Sequence, residues 1–137
     1  MTREIVLSGR VITREGAPYV IAEAGVHHYN DMDVARELIR TAHTAGADAV
    51  KFQTYTADRL AARWAPTYWD DGTGRTQHDI FAERSLLTES DYAELFRFSE
   101  QVGITFLSTP FDDDAADMLN QLGMEAFKIA SADLIDR

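Results

Sequence analysis

The sequence predicts an α/β fold of parallel β/α units preceded by a short β-hairpin. Three observations support this prediction. Short apolar segments alternate with segments of helical periodicity. Each helical segment is stopped by a glycine, at Gly46, Gly103 and Gly123, and each apolar segment ends in polar residues. Strands and helices in strict alternation are typical of a parallel sheet with helical crossovers.

The hairpin is predicted at the beginning of the chain. Residues 4–12 alternate apolar and polar side chains, and turn-forming residues follow at 14–18. We expect this hairpin to cap one end of the main fold. Two domains are therefore predicted, a hairpin cap at residues 1–18 and a β/α domain at residues 19–137.

Four strands are predicted after the hairpin, at residues 19–23, 49–53, 104–108 and 126–129. Each is a short apolar run that follows turn residues. The strands are separated by segments long enough to hold a helix, as parallel pairing requires.

Three helices are predicted between and after these strands. The first spans about residues 31–45 with Asp31 as its cap, and the second begins near Thr88. The third is capped by Asp112 or Asp113. Their buried faces are predicted from apolar spacing: Val34, Leu38, Ile39 and Ala42; Tyr92, Leu95, Phe96 and Ser99; Ala116, Met118, Leu119 and Leu122.

The order of elements fits either a barrel or an open doubly wound sheet. No Gly-x-Gly-x-x-Gly or Walker-type loop follows the first strand, which argues against a dinucleotide-binding sheet and favours the barrel. A (β/α)₈ barrel usually needs about 250 residues. We therefore expect 137 residues with about four β/α units to form the N-terminal half of a TIM-type barrel. Because its two sheet edges would be open and apolar, the isolated chain is predicted to self-associate.

Composition excludes several classes of function. The net charge of −10 argues against a nucleic-acid partner, and the absence of cysteine excludes disulfides and thiolate metal sites. No apolar run approaches the roughly 20 residues that span a membrane. Residues 1–4 lack the features of a signal peptide. A cytoplasmic protein is expected.

Candidate catalytic residues stand at the ends of the predicted strands, where parallel β/α folds place their active sites. Glu23 ends the first strand, and Lys51 and Gln53 lie on the second. Thr109 follows the third, and Lys128 with Ser131 belongs to the fourth.

Strand alternation places Val50 and Phe52 against the helices and Lys51 in the lumen, and it places Lys128 inward in the same way. Lysines are rarely buried without a partner, so two inward lysines suggest an anion site. The alternative is that they pair with structural carboxylates such as Glu23. The hydroxyls of Thr109 and Ser131 can donate to an anion or serve as caps and turn residues.

Four motifs in order along the chain closely resemble the sialic acid synthases and related nonulosonic acid synthases. They are IAEAG at 21–25, GADAVKFQT at 46–54, FLSTPFD at 106–112 and FKIAS at 127–131. The resemblance implies a metal-dependent condensation of phosphoenolpyruvate with an open-chain N-acetylated sugar aldehyde. C3 of phosphoenolpyruvate attacks the aldehyde, which the metal polarises; water then adds at C2, and phosphate leaves.

The resemblance also implies residue roles. It implies that phosphoenolpyruvate is bound by Lys51, Thr109, Lys128 and Ser131. The sugar acceptor is implied to contact Glu23 and Gln53. Relatives commonly have Asn-His-Asn-Gly after the first strand, whereas residues 27–30 here are His-His-Tyr-Asn. Only His28 matches this pattern, and the resemblance implies that it binds substrate. Because this loop lies at the mouth of the barrel, the identity of the acceptor is open. A second, milder departure is Ala132, which stands where the family has a glycine after the serine of the fourth strand.

The implied metal, Mn²⁺ or Mg²⁺, is held in the family by two histidines that would lie beyond residue 137, so no metal ligand is expected here. The resemblance further implies a dimer, in which a C-terminal antifreeze-like domain completes the partner's site; nothing of that domain is expected within these 137 residues. The acids at 112–114 are better explained by helix capping than by metal binding. His27 and His28 are neighbours in an extended segment and point apart, so a metal site is not expected there.

Residues 57–87 form a connection too long for an ordinary loop. Its distinctive residues are Trp64, Tyr68, Trp69, Gln77 and Phe81. We expect it to overlie the barrel mouth, where aromatic rings stack on sugars or pack against a second subunit.

Two other functions remain open. One is a Schiff-base aldolase that uses Lys51 or Lys128 as its nucleophile, although this does not explain why both lysines occur. The other is a catalytically inert half-barrel that needs a partner chain.

Overall fold

The computed structural model describes residues 4–69 and 72–134, so the outermost residues of the two predicted domains, 1–3 and 135–137, lie outside it. The chain begins with an antiparallel hairpin of β1 (Ile5–Leu7) and β2 (Arg10–Ile12), as predicted. Its turn is tight, because Ser8 and Gly9 both adopt positive φ, 47° and 79°.

The main sheet consists of three parallel strands in the order β3 (Ile21–Gly25), β4 (Ala49–Thr54) and β5 (Thr105–Pro110). The central strand β4 pairs on both sides. Its register sets Lys51 opposite Glu23, and Gln53 opposite Thr109. The carboxyl ends of the three parallel strands therefore lie at the same end of the sheet.

Three long helices connect and flank these strands: α1 (Met32–Thr44), α4 (Glu89–Val102) and α5 (Asp113–Gln121). Each begins at a side-chain cap, Asp31, Thr88 and Asp112 respectively. Thr88 forms a full capping box with Asp91 at the third helical position. The caps Asp31 and Asp112 agree with the sequence prediction, because N-cap chemistry depends on local residues alone.

The core lies between the sheet and the helices. Phe52 of β4 is fully buried and stacks on Phe106 of β5 with ring centroids 5.4 Å apart. From the helices Ile39, Leu95 and Leu119 are each fully buried against it.

Two predicted helix faces are correct at Ile39, Ala42 and Leu119 but each has a neighbouring residue buried in place of a predicted one. In α1 Ala35 is buried while Val34 is 38% exposed. In α5 the buried residue is Ala115 rather than Ala116. The apolar spacing indicated which side of each helix is buried but not which residue lies nearest the sheet. Small alanines take that position because they allow the closest approach of helix and sheet.

Two short helices that the sequence analysis did not predict lie in the long connection between β4 and α4. They are α2 (Ala57–Leu60) and α3 (Gln77–Ala82). Helix α3 starts with a capping box of Thr76 and Asp79. These helices are too short to show an apolar period, so the connection was predicted as a loop.

The prediction of a fourth strand at 126–129 is wrong for this structure. Among the described residues that follow α5, none forms a strand or pairs with β5. Phe127 and Ile129 are 39% and 54% exposed, and Lys128 is also exposed rather than inward. An apolar run becomes a strand only where a neighbour satisfies its backbone groups, and β5 does not pair with this one.

None of the helices in the described part of the chain is long and apolar enough to cross a membrane.

Candidate active site at the strand ends

Three side chains from three adjacent strands meet at the carboxyl end of the sheet. The ammonium of Lys51 on β4 forms an ion pair with the carboxylate of Glu23 on β3. On the other side the Lys51 Nζ atom donates to the Thr109 Oγ1 atom of β5 at 3.2 Å. The Lys51 side chain is only 12% exposed, whereas that of Glu23 is 50% exposed. The cluster is therefore largely buried at Lys51 and Thr109 and open to solvent at Glu23.

The alternation of β4 explains this placement. Phe52 and Val50 point into the core, at 0% and 1% exposure, so Lys51 and Gln53 project from the opposite face. Lys51 has the carboxylate partner that the structural alternative predicted. Since Glu23 is half-exposed, the pair is also accessible to a ligand.

Gly25 leaves space for three side chains at the open side of the cluster. Its φ is +55°, and a Cβ atom built there would lie 3.3 Å from the Glu23 Oε1 atom. The same position is 3.6 Å from the Gln53 Nε2 atom and from the His27 Nδ1 atom. A carboxylate, an amide and an imidazole thus converge on the space that glycine leaves empty. The pairing of β3 with β4 is irregular between Glu23 and Gly25, as at a β-bulge, which locally bends a strand.

Sequence analysis did not single out Gly25 or His27 as site residues. The signal for Gly25 is a glycine directly at a strand end, which often marks a positive φ or a close approach of another group. No comparable local signal marks His27.

Buried hydrogen bonds between β4 and its neighbours β5 and α4 support the site. The Thr54 and Ser108 hydroxyls bond to each other across β4 and β5 at 2.7 Å, and both residues are buried. The Tyr92 hydroxyl of α4 donates to the Gln53 carbonyl at 2.9 Å. Strand ends held in this way keep Lys51 and Gln53 in fixed positions.

His28 lies in the interior rather than in the solvent-exposed part of the loop. It is 1% exposed, its ring packs 6.0 Å from that of Phe52, and its Nδ1 atom accepts from the Asn30 backbone N–H at 3.0 Å. Burial, with a further contribution from the charge of Arg84, lowers the pKa of His28. These contacts support the loop, and a substrate-binding role for His28 stays a prediction.

Lys128 and Ser131 are not brought to the Lys51 cluster. The Lys128 ammonium donates to the backbone carbonyl of Ile129, and Ser131 lies exposed in the turn that follows. Both lie on a segment that pairs with none of the described strands.

Among the described residues no three acidic or histidine side chains are grouped so as to hold a metal ion. In the acidic run at 112–114, Asp112 accepts the Ala115 backbone N–H at 2.8 Å as a helix cap. Asp114 forms an ion pair with Arg59 of α2. Capping and pairing therefore account for this run, although the second carboxylate oxygen of Asp112 is buried without a partner.

The long connection between β4 and α4 is partly packed. Gln77 is 2% exposed, and its side-chain oxygen accepts the Tyr68 backbone N–H at 3.2 Å. The Phe81 ring packs on that of Tyr55 at the end of β4. Trp64, Tyr68 and Trp69 are 82%, 77% and 57% exposed, so these three aromatic rings of the segment face solvent.

Comparison with known proteins gives one consistent match. The model of the NeuB family matches residues 38–137. The N,N'-diacetyllegionaminic acid synthase of Legionella pneumophila is 38% identical over 120 residues, covering 85% of this chain and 33% of that protein. The N-acetylneuraminate-9-phosphate synthase of Homo sapiens is 35% identical over 130 residues, covering 91% of this chain and 35% of that protein.

A similar solved structure is the N-acetylneuraminic acid (sialic acid) synthetase of Leptospira borgpetersenii serovar Hardjo-bovis, crystallised in complex with citrate. It has a TM-score of 0.79 and 29% identity, and the match covers 98% of this chain and 43% of that one. The chain spans about a third of the length of the curated relatives named above.

Proposed function

Because the chain belongs to the NeuB family, we propose that it carries part of the active site of a phosphoenolpyruvate-dependent synthase of nonulosonic, sialic-type acids. Phosphoenolpyruvate condenses with an N-acetylated aldose, and phosphate is released. The observation that carries the proposal is the cluster of Lys51, Glu23 and Thr109 at the strand ends. In this proposal the β/α units form half of a TIM-type barrel, behind a separate hairpin cap.

Lys51 and Thr109 bind phosphoenolpyruvate in this proposal. The ligand carries a phosphate and a carboxylate, and an ammonium with an adjacent hydroxyl offers charge and hydrogen bonds to either group. In a chain with a net charge of −10, such a ligand needs a local positive site. Lys128 and Ser131 belong to the proposed ligand set, and their exposed turn is the part of the site that binding would have to reposition.

Glu23 and Gln53 face the acceptor. When phosphoenolpyruvate occupies Lys51, the half-exposed carboxylate of Glu23 is free to accept a hydrogen bond from an acceptor hydroxyl. The new bond forms between C3 of phosphoenolpyruvate and the aldehyde carbon, whose oxygen takes up a proton. Water adds at C2, and phosphate leaves. Glu23 orients the acceptor and assists proton transfer, and the Gln53 amide helps to position it.

The divalent metal, Mn²⁺ or Mg²⁺, stays a proposal for the full-length enzyme, with ligands outside this chain. The described residues do not fit it, and the roles given to Glu23, Lys51, Gln53 and Thr109 do not depend on it.

The acceptor is proposed only as an N-acetylated aldose. The relatives are named for different products, a diacetyllegionaminic acid and a neuraminate 9-phosphate. Residues 27–30, in the loop after β3, are the larger of the two departures of this sequence from the family pattern, and Ala132 is the milder one.

The test is a binding and phosphate-release experiment with Lys51→Met. Methionine keeps the length of the side chain and removes its charge. Phosphoenolpyruvate affinity, measured by calorimetry, should fall at least about tenfold, since a hydrogen bond to a charged group is worth about 1.5–3 kcal/mol. The control is Arg97→Met, which removes one positive charge from the exposed surface of α4. Equal affinity of Lys51→Met and wild type would refute the proposal.

Phosphate release should require phosphoenolpyruvate, an aldose and a divalent metal together. Release without the aldose would indicate a phosphatase instead.

A half-barrel that pairs with another chain is a second candidate. In the described structure β3 and β5 are sheet edges, and Val20 and Ile21 beside the β3 edge are 49% and 46% exposed. Open apolar edges favour association. Light scattering should therefore find a dimer or larger species, and a monodisperse monomer would exclude this candidate.

The Schiff-base alternative needs an uncharged lysine amine, whereas Lys51 forms an ion pair with Glu23. Borohydride with a keto acid should leave Lys51 and Lys128 unmodified, and a trapped adduct on either would favour the aldolase.

A further inference from the structure

The Asn30 side chain joins the loop after β3 to the connection between α3 and α4. Its amide nitrogen donates to the Glu83 carbonyl at 2.6 Å, and its amide oxygen accepts from the Leu86 N–H at 3.1 Å. Exchanging the amide nitrogen and oxygen would set donor against donor and acceptor against acceptor, so the two bonds together fix the orientation of the amide. We call this pair of bonds the Asn30 clamp.

The loop that carries Asn30 is firmly attached to the core. His28 is buried and packs on Phe52, and its Nδ1 atom accepts from the Asn30 backbone N–H at 3.0 Å. The Asp31 N–H donates to the His28 carbonyl at 2.8 Å, and Asp31 caps α1. A loop held on both sides in this way can fix the position of a second segment.

The segment at the other end of the clamp lies at the surface. Glu83 is exposed, and Leu86 is 65% exposed although its N–H is bonded. Segments with little buried apolar area open locally at a low cost in free energy unless polar contacts hold them. The clamp is therefore a contact on which the position of residues 83–86 depends.

The clamp lies on the side of the sheet where Glu23 is open to solvent. Arg84, between the two clamped residues, has its guanidinium carbon 4.4 Å from the centre of the Tyr29 ring. The Tyr29 ring contacts the His27 ring edge-on at a centroid distance of 6.3 Å. The His27 Nδ1 atom and the Glu23 Oε1 atom both border the empty space at Gly25. A shift of the clamped segment would therefore reach the open side of the Lys51 cluster.

The beginning of the connection between β4 and α4 is attached on the opposite side, at β5. Arg59 of α2 forms an ion pair with Asp114, and its Nη1 atom lies 3.9 Å from the Oδ1 atom of Asp112, the cap of α5. The Phe81 ring of α3 packs on Tyr55 with ring centroids 5.3 Å apart. The connection thus extends across the carboxyl end of the sheet from the β5 side to the β3 side, where the Asn30 clamp holds it.

We propose that Asn30 is a positioning residue for the acceptor sugar. By clamping residues 83–86 to the loop after β3, it keeps Tyr29 and His27 in place beside the open carboxylate of Glu23. Asn30 acts through these contacts and needs no contact with the sugar itself. Loss of the clamp should therefore weaken acceptor binding without disrupting the sheet.

The inference rests on the proposed function, which assigns the acceptor to Glu23 and phosphoenolpyruvate to Lys51 and Thr109. The clamp bonds involve neither Lys51 nor Thr109, which bond to each other across β4 and β5. The two substrates should therefore respond differently. Affinity for the acceptor depends on the clamp, whereas affinity for phosphoenolpyruvate does not.

Asn30→Gly removes the clamp without straining the backbone, because Asn30 has a φ of 62°, which glycine adopts freely. The matched control is Ser8→Gly, at a φ of 47° in the hairpin turn. Calorimetry measures the affinity for phosphoenolpyruvate and, at saturating phosphoenolpyruvate, for an N-acetylated aldohexose. Asn30→Gly should weaken the aldohexose at least about fivefold and leave phosphoenolpyruvate within about twofold. Ser8→Gly should match wild type for both ligands.

Hydrogen exchange at the Leu86 amide tests the clamp itself. Exchange should be at least about tenfold faster in Asn30→Gly than in wild type, because the exposed N–H loses its acceptor. Ser8→Gly should leave it unchanged. Asn30→Asp keeps an acceptor for this N–H but loses the donor to the Glu83 carbonyl, so its exchange rate should lie between those of wild type and Asn30→Gly.

The unmutated protein offers a test that no folding defect can affect. Coupling between two sites is reciprocal, so a saturating N-acetylated aldohexose should slow exchange at Leu86, beyond any effect of phosphoenolpyruvate alone. Absence of this slowing would overturn the inference. Unchanged aldohexose affinity in Asn30→Gly would also overturn it, as would equal weakening of both ligands or equal Leu86 exchange in variant and wild type. Failure of the proposed function is distinguishable, because unmutated protein would then not bind phosphoenolpyruvate, or would bind it independently of Lys51.

Discussion

Glu23 and Lys51 face each other across adjacent parallel strands and form an ion pair whose two members differ in exposure. The carboxylate is half-exposed, whereas the ammonium is 12% exposed and also bonded to Thr109. A bound anion therefore competes with Glu23 for the same ammonium.

This competition makes Glu23→Gln informative. The substitution removes the competing charge, so affinity for phosphoenolpyruvate should rise, while the rate of condensation should fall by about 100-fold or more because a proton-transfer group is lost. Calorimetry and a phosphate-release assay measure the two effects. Glu125→Gln, at an exposed glutamate distant in sequence, is the control. Weaker binding of phosphoenolpyruvate to Glu23→Gln would contradict this account of the ion pair.

Gly25→Ala tests whether the empty space beside Glu23 is required. The positive φ alone should cost about 1–2 kcal/mol of unfolding free energy. The new methyl group would also stand 3.3 Å from the Glu23 Oε1 atom, so ligand affinity should fall as well.

Gly46→Ala is the matched control, because Gly46 also has a positive φ but nothing within 4 Å of a built Cβ. Denaturant titration should show similar destabilisation of both variants. If Gly46→Ala impaired ligand binding equally, the effect would be due to stability and not to the site.

The hydroxyl pair of Thr54 and Ser108 should show energetic coupling. Ser108→Ala and Thr54→Val are each expected to lower the unfolding free energy by about 1–2 kcal/mol, because each leaves the other buried hydroxyl without its 2.7 Å partner. The double variant should lose less than the sum of the two. Strict additivity in urea titrations would show that the hydrogen bond does not stabilise the sheet.

Stability should fall on acidification because of His28. Burial lowers its pKa below the ordinary 6.5, so the unfolded chain binds a proton at a pH where the folded chain does not. The stability that neutral His28 contributes is fully present above its pKa in the unfolded chain. It is lost as the pH falls from that pKa toward the lower pKa of His28 in the folded chain.

His28→Asn keeps an acceptor for the Asn30 N–H but does not titrate. Between pH 7.5 and 5.5 its unfolding free energy should therefore decrease less than that of wild type, as measured by urea titration. His43→Asn, at an exposed histidine of α1, should follow wild type. An identical pH dependence for His28→Asn would assign the effect to other groups.

Much of the fold was predictable because its signals are local. Asp31 and Asp112 cap their helices as predicted, and the alternation of β4 correctly separated Phe52 from Lys51. Capping depends on a few neighbouring residues, and strand alternation follows from backbone geometry alone.

The sequence by itself determined the order of the hairpin, the first three parallel strands and the three long helices, and the residue types at the ends of those strands, since each follows from short-range chemistry. Only the tertiary structure decided which of those residues meet. It joined Glu23, Lys51 and Thr109 through the strand register, left Lys128 on a segment that pairs with none of the described strands, and brought Arg84 to Tyr29, from which it is separated by 55 positions in sequence (84 − 29). Contacts between distant segments depend on register, close packing and backbone strain, which the spacing of residues along the chain does not specify.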